Sequence, residues 1–312
     1  MHIIREYGQF PAERRGNVWV IGNFDGVHLG HQAVLACARQ EAAARDCDVM
    51  VMSFEPHPRQ FFAPSPVSLR VMPFHMKARQ LAREQVSLLL AQRFNQAFSE
   101  VTAEQFIEEV LIRQLGVAHV VTGEDFVFGY RRGGNSAMLA RHANQTGAFG
   151  YTALKRIAGA DRAMSSTQLR QLILSADMEA VAALLGRRYG WSGRVVGGAK
   201  RGRTIGFPTA NLIPPPIVLP AFGVYAVTVR VERDETDWPA IANLGVRPTV
   251  DGQTCRLEIH LFDADLDLYG KRLHVAFVSF IRPETTFDGV DALRKQITAD
   301  CQIARERLGV SH

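Results

Sequence analysis

Two histidines three positions apart, His28 and His31, stand in the run Gly22-Asn23-Phe24-Asp25-Gly26-Val27-His28-Leu29-Gly30-His31. On the first turn of a helix both rings project to one side. Imidazoles placed there can donate to phosphate oxygens, and with ordinary pKa values near about 6.5 they can carry charge that steadies a phosphorus centre under attack. The same spacing can hold a metal ion. The surroundings favour the first chemistry. An apolar run, Asn17 to Ile21, precedes the decapeptide, and a stretch with Val34, Leu35, Ala38 and Ala42 near helical spacing follows it. Strand, glycine turn and helix in that order offer unpaired amides at a helix start, and Gly22, Gly26 and Gly30 let a phosphate approach the backbone of Asn23 and Phe24. Neither Gly-x-x-x-x-Gly-Lys-Ser/Thr nor Gly-x-Gly-x-x-Gly follows the first strand, which excludes a P-loop and a dinucleotide fingerprint.

Three further segments could join this turn: Ser53-Phe54-Glu55-Pro56-His57-Pro58, Gly123-Glu124-Asp125-Phe126-Val127-Phe128-Gly129, and Ser165-Ser166-Thr167-Gln168-Leu169-Arg170. The last opens a helix with hydroxyl and amide donors, and Arg170 suits the phosphates of a leaving pyrophosphate. Ser165 with Gln168 is also an ordinary capping box. Phe62, Phe126 and Phe128 could stack a flat acceptor or simply fill the core.

A second chemistry lies in the other half of the chain. Gly193 to Gly198 leads into Gly202-Arg203-Thr204-Ile205-Gly206-Phe207-Pro208-Thr209-Ala210-Asn211. Gly197, Gly198, Gly202 and Gly206 make a pliable loop that Lys200, Arg201 and Arg203 flank, a setting for phosphates. Thr209 and Asn211 offer neutral oxygens on one side of an extended segment and could hold the Mg²⁺ of bound ATP. In Arg256-Leu257-Glu258-Ile259-His260-Leu261 the alternation puts Arg256, Glu258 and His260 on one strand face, with Glu258 as the candidate proton acceptor.

Positioning two such sites takes two folded units, and 312 residues suffice for two cores. Strands are expected at 17–21, 47–54, 86–93 and 118–123, alternating with helices at 32–45, 73–84 and 103–115, the last opened by a capping box at Thr102 and Gln105. That order implies an α/β fold with a parallel sheet, and ligands there bind at the carboxyl ends of the strands. After about residue 187 short strands are expected at 191–196, 223–231, 238–243, 256–262 and 272–280, closed by a helix at 289–308. This is an antiparallel β-barrel with a terminal helix. The expected domains are 1–186 and 187–312.

Apolar residues make up 47% and charged residues 21%, and no apolar run approaches the roughly 20 residues that span a bilayer. The start of the chain lacks the apolar core of a secretory signal, so a cytoplasmic protein is expected. Cys37, Cys47, Cys255 and Cys301 form no metal or redox pattern. A net charge of +5, spread along the chain, suits anionic small molecules and leaves RNA open.

The N-terminal segments resemble the FMN-adenylylating half of the bacterial bifunctional riboflavin kinase/FAD synthetase family, whose His-x-Gly-His turn belongs to the nucleotidyltransferase superfamily. Phe207-Pro208-Thr209-Ala210-Asn211, Ala242 to Thr249 and Asp267-Leu268-Tyr269-Gly270 resemble its kinase half. The resemblance spans essentially the whole chain. It implies catalysis by His28, His31 and Glu258. It assigns Gly22, Asn23, Phe24, Gly30, Ser165, Ser166, Thr167 and Arg170 to ATP in adenylylation, and Asp25, His57, Phe62, Asp125 and Phe128 to the flavin. In the kinase half it assigns Gly198, Lys200, Arg203, Gly206, Pro208 and Asn243 to ATP, Arg282 to the flavin, and Thr209 and Asn211 to Mg²⁺. Riboflavin, FMN and ATP are then the partners, FAD the product, with no nucleic acid and no membrane, and the chain is expected as a monomer or weak homo-oligomer. Asn135 stands where the family usually has an acid, Ala176 where it often has glycine, and Gly197 where it often has histidine. Two other readings remain: an enzyme similar to class I aminoacyl-tRNA synthetases, and a flavin-binding regulator without turnover.

Overall fold

The computed structural model describes residues 1–63, 68–155, 165–197, 206–249, 252–264 and 266–310. They form two compact units, Met1–Ser166 and Thr167–His312.

The first unit is built on a wholly parallel six-stranded sheet. Its strands are β1 (His2–Ile4), β2 (Val18–Ile21), β3 (Val49–Glu55), β4 (Leu88–Arg93) and β5 (His119–Gly123). A short antiparallel pair, β6 (Val127–Phe128) and β7 (Gly134–Asn135), stands apart from the sheet, and β8 (Gly150–Leu154) completes it. The order is β1-β4-β3-β2-β5-β8. The four expected strands form the centre, and the structure adds β1 and β8 at the edges. β1 is only three residues long and mostly exposed, so it carries little of the apolar signal by which strands are read.

Helices α1 (Leu29–Ala43), α2 (Pro58–Phe61), α3 (Phe74–Arg83), α4 (Gln96–Ser99), α5 (Ala103–Gln105) and α6 (Ser136–Thr146) surround the sheet. Alternation along the strands makes two cores. Val18 and Val20 face one way with Leu35, Ala38 and Leu81, while Trp19 and Ile21 face the other with Phe106, Val110 and Leu139. The capping box of α5 forms as expected, Thr102 and Gln105 each bonding the other's backbone. Beyond it the chain winds in the wider i→i+5 manner from Phe106 to Leu115, which brings Phe106, Val110, Leu111 and Leu115 onto the core. Asn135 caps α6 by accepting from the Met138 amide at 3.0 Å, a bond that an aspartate makes equally well.

The second unit opens with α7 (Ser166–Leu174, whose first residue belongs to the first unit) and α8 (Met178–Leu185), the latter packed on the barrel strands β9 (Tyr189–Arg194) and β14 (Arg272–Pro283). Ala176, between the helices, has φ +58°, a left-handed position that glycine occupies without cost and alanine does not. Between β9 and β14 lie β10 (Ala210–Leu212), β11 (Gly223–Val231), β12 (Asp237–Thr249) and β13 (Gly252–Leu261), and the antiparallel order is β10-β13-β12-β11-β14-β9. A bridge from Val196 to Asn211 brings the two ends of the sheet together. Trp191 and Tyr225 each pack against Phe277 inside, with Trp191 and Phe277 ring centroids 4.9 Å apart. β12 and β13 run longer than expected because they continue as a paired ribbon to Thr249 and Gly252.

The last helix, α9 (Val290–Leu308), lies on the outer face of β11, β12 and β14. Cys301 and Ala304 bury Val224, Ala226 and Ile241 there. The tie is ionic: Arg282 clasps Asp300, which is only 2% exposed, through Nε at 3.0 Å and Nη2 at 2.7 Å. Among the described residues no helix is long and apolar enough to cross a membrane. Asp300→Ala strands a largely enclosed guanidinium, so we expect the second unit to lose about 3 kcal/mol. A urea midpoint of unfolding of the second unit equal to that of the parent would refute this.

Candidate functional sites

The first site begins where β2 leaves the sheet. Gly22 still bonds its neighbour strand through the Met52 carbonyl at 3.0 Å, and the chain then turns through Phe24 (φ +50°), Gly26 (φ +84°) and Val27 (φ +42°). Two non-glycine residues in left-handed backbone within one turn cost on the order of 1 to 2 kcal/mol each. Their side chains are wholly enclosed in the core, which offsets that strain. Gly22 itself has a different reason to be glycine: a Cβ there would stand 3.3 Å from the Phe24 ring folded back over it. Phe24 therefore offers a ligand its backbone, since its ring belongs to the core.

His28 is the N-cap of α1, its Nδ1 accepting from the His31 amide at 3.4 Å. A ring that accepts on Nδ1 carries its proton on Nε2 when neutral. The His28 and His31 rings stack with centroids 3.7 Å apart, and Gly30 lies between them in the first turn. Burial, then the neighbouring His28, then Lys77 hold the His31 imidazole well below the usual range, so in the free protein it is neutral at pH 7. Its Nδ1 is enclosed without a hydrogen-bond partner, and so is Oδ1 of Asn23. Two unsatisfied polar atoms on one turn are what a polar ligand site looks like before its ligand arrives.

Asp25 is turned inward, accepting from the Val71 amide at 2.8 Å, while its carbonyl accepts from Ser166 Oγ at 3.1 Å. That bond attaches the Ser165-Ser166 segment to the turn. Thr167 is exposed and Arg170 buried, both in the second unit. His57 caps α2 by accepting from the Arg59 amide at 3.1 Å. Phe62, 66% exposed, packs edge-on against Phe61 and Phe94. Asp125 is exposed after β5, and Phe128 is a core residue stacked on Phe126. Of the three aromatic candidates for a flat acceptor, Phe62 is the exposed one, while Phe126 and Phe128 pack on the core.

Sequence reasoning missed Lys77. It sits on α3, in a pattern that reads as an ordinary amphipathic helix, yet it is 6% exposed and bonded to Glu55, Ser53 and Asn23. Ser53 and Glu55 lay in a quoted segment, but nothing in one sequence pairs them with a lysine 22 residues away.

The second site is a row of side chains across the outer barrel face. Glu258 on β13 stands directly opposite Asn211 of β10 on one side and Asn243 of β12 on the other. Directly opposed residues share a face, with Cα atoms about 4.5 to 5.5 Å apart. The row continues through Val224 to Arg282. With strands about 4.8 Å apart, Arg282 is about 14 Å from Glu258, and its guanidinium is engaged by Asp300. Leu257 and Ile259 are buried beneath, as the alternation of the strand requires. Asn211 is buried, Thr209 just before β10 is half-buried, and Pro208 and Gly206 are exposed, Gly206 at φ +89°. His260 donates from Nδ1 to the Pro208 carbonyl at 2.9 Å, and Arg256 donates to the Gly197 carbonyl at 3.2 Å, so β13 holds both ends of the glycine loop. A Cβ on Gly197 would meet nothing within 4 Å, so the site has room for the larger residue. Gly198, Lys200 and Arg203 lie outside the described residues. Asn243 Nδ2 donates to Glu284 at 3.2 Å, a carboxylate that the sequence did not single out; Gly245 leaves it room, since a Cβ there would fall 2.1 Å from Glu284 Oε1.

Comparison with known proteins covers both halves of the chain. The FAD synthetase family model matches residues 10–168 and the riboflavin kinase family model residues 185–308. The bifunctional riboflavin kinase/FMN adenylyltransferase of Escherichia coli (strain K12) is 40% identical over 308 residues, covering 99% of this chain and 97% of its own. The proteins of that name from Pseudomonas fluorescens and Bacillus subtilis (strain 168) are 40% and 33% identical, over 98% and 97% of this chain and 97% and 96% of theirs. A solved structure named a macrolide-efflux protein from Streptococcus pneumoniae superposes with a TM-score of 0.88 at 31% identity, covering 97% of this chain and 98% of that one. Both family models and the near-complete alignments agree. The chain belongs to the bifunctional riboflavin kinase/FMN adenylyltransferase family, phosphorylating riboflavin to FMN and adenylylating FMN to FAD.

Proposed function

We propose that the His28/His31 turn binds the triphosphate of ATP for adenylylation and that the Asn211-Glu258-Asn243 row is the kinase centre. The observation that carries the second half is the register, which sets the candidate base between two amide side chains on one face. Residues 1–186 would then adenylylate and 187–312 phosphorylate. The two family models, at 10–168 and 185–308, support this division.

In the kinase step Glu258 accepts the proton of the riboflavin ribityl hydroxyl, whose oxygen bonds to the γ-phosphorus of ATP as the bond to ADP breaks. The donors at hand, the Thr209 hydroxyl, the Asn211 amide oxygen and a nearby carboxylate, are hard oxygens that fit Mg²⁺. Thr209 and Asn211 would hold the ion, which supplies neutralisation of phosphate charge when bound. Gly206, Pro208 and Asn243, with Gly198, Lys200 and Arg203, are assigned to ATP. The Arg282 end of the row is assigned to the flavin.

In adenylylation an FMN phosphate oxygen attacks the α-phosphorus of a second ATP and pyrophosphate leaves. The amides of Asn23 and Phe24 and the imidazoles of His28 and His31 donate to phosphate oxygens, and Gly22, whose amide is held by the Met52 carbonyl, is assigned to ATP for the close backbone approach it allows. Ser166 joins them through its bond to the Asp25 carbonyl, and Ser165, Thr167 and Arg170 are assigned to ATP by the sequence. Asp25, His57, Phe62, Asp125 and Phe128 are assigned to FMN. The partners are riboflavin, FMN and ATP, and we place this chain in the cytoplasm as a monomer or weak homo-oligomer.

Chromatography of riboflavin, FMN and FAD over time separates the two sites. His28→Ala and His31→Ala are expected to abolish FAD formation and leave FMN formation intact; loss of both products together would speak against separate sites. Glu258→Ala is expected to slow riboflavin phosphorylation by about 10²- to 10⁴-fold while supplied FMN is still adenylylated, and normal kinase turnover would remove Glu258 as the base. A third expectation concerns protons. His31 is neutral when free because burial, His28 and Lys77 depress its pKa, and an adjacent polyphosphate acts in the opposite direction. ATP binding near pH 6.5 should therefore take up protons, seen by calorimetry in buffers of different ionisation enthalpy. The uptake should shrink in His31→Gln, and an equal uptake in that variant would place the ATP elsewhere.

A further inference from the structure

Lys77 is a buried cation that the reaction as described does not use. Its ammonium has three hydrogens and three acceptors: Glu55 Oε1 at 2.6 Å, Ser53 Oγ at 3.0 Å and the Asn23 carbonyl at 3.4 Å. The second oxygen of Glu55 takes Arg70 Nη2 at 2.6 Å. One carboxylate thus faces two cations, and the cluster keeps one excess positive charge. Stability does not explain it, because an apolar side chain of similar size in place of a buried pair is often neutral or stabilising. What the cluster touches is the glycine turn. Ser53 Oγ also donates to the Asn23 carbonyl at 3.1 Å, so two donors draw that oxygen toward the end of β3. A carbonyl facing a polyphosphate would repel it. Drawn inward, it leaves the turn to present amides, and the ammonium polarises the peptide group whose N–H belongs to Phe24.

We propose that Lys77 is a positioning residue for adenylyl transfer: it anchors the Asn23 carbonyl to β3 and places a fixed positive charge beside the His28/His31 pair. This rests on the reading of that turn as the ATP site. Misplacing reacting groups by about 1 Å can cost about 100-fold in rate, which sets the expected scale.

The test uses the full chain with Lys77→Met, Lys77→Arg, Glu55→Gln and His31→Ala, measuring kcat and KM for both reactions. Lys77→Met is expected to lower kcat for FAD formation by about 100-fold, with riboflavin phosphorylation unchanged. Lys77→Arg should recover most of the loss. Glu55→Gln keeps the ammonium on Ser53 and Asn23 and should retain most of the activity, whereas a merely structural ion pair requires Glu55→Gln to fall as far as Lys77→Met. The His31 ring gives a reading without turnover. The groups that hold its pKa down are burial, His28 and Lys77, so its NMR titration midpoint should rise in Lys77→Met and stay in place in Lys77→Arg. Normal FAD formation in Lys77→Met, or equal losses in Lys77→Met and Glu55→Gln, overturns the proposal. If Lys77→Met does not fold, the Lys77→Arg and Glu55→Gln rates decide alone: a loss in Glu55→Gln as large as that of His31→Ala overturns it. If His31→Ala still makes FAD, the ATP-site reading itself fails, and the role of Lys77 with it; if only Lys77→Met is normal, that reading stands.

Discussion

A helix that starts at the end of a buried parallel strand leaves its first amides without partners, and the rest of the first unit is arranged around that fact. Between β2 and α1 the chain reverses in seven residues, Gly22 to His28, three of them at positive φ. Such a turn is held only if its surroundings over-determine it. Phe24 and Val27 are held by the core, Asp25 by the Val71 amide, the Asn23 carbonyl by Ser53 and Lys77, and His28 by its own cap. The strain is local and its compensation comes from four separate pieces of chain. The result is a turn whose backbone is fixed from several sides, and fixed dipoles are what stabilising charge on a phosphate would require.

The barrel solves the matching problem in another way. Its centre needs no strained backbone, because antiparallel register does the positioning. Pairing Asn211 with Glu258 and Glu258 with Asn243 places three polar side chains on one face. The same pairing sends Leu257 and Ile259 inward. A slip of one residue would reverse both. Register is in turn fixed by the aromatic interior and by α9, whose Asp300 receives Arg282 at the far end of the same row. The helix that seals the outer face and the row proposed as the kinase centre are therefore tied to each other through Arg282 and Asp300.

The two units thus place charge differently. The first relies on buried ionisable groups, with burial, His28 and Lys77 holding the His31 imidazole low and Lys77 itself bonded to Asn23 and Ser53. Low local dielectric makes such groups responsive to an arriving anion. The second keeps Glu258 and Asn243 half-exposed on a surface row.

Much of this was legible in the residues themselves. Strand, glycine turn and helix, the capping box at Thr102, and the alternation in 256–261 are short-range patterns, and local backbone chemistry carries them. The terminal helix and β11 likewise fell where their periodicity put them. The edge strands β1 and β8 did not, since an edge strand needs less apolar character and is selected by the neighbour it pairs with. Lys77 was invisible for a related reason: a lysine reads as solvated unless one knows what packs over it, while Glu284 is exposed and stands out only through its bond to Asn243. The left-handed Ala176 was readable only as a departure from a family pattern, and its φ gives the departure a cost. Sequence alone determined which residue types could handle phosphates and in what order they occur. Tertiary structure alone decided which of them meet, because burial and strand register are properties of contacts between segments far apart in the chain.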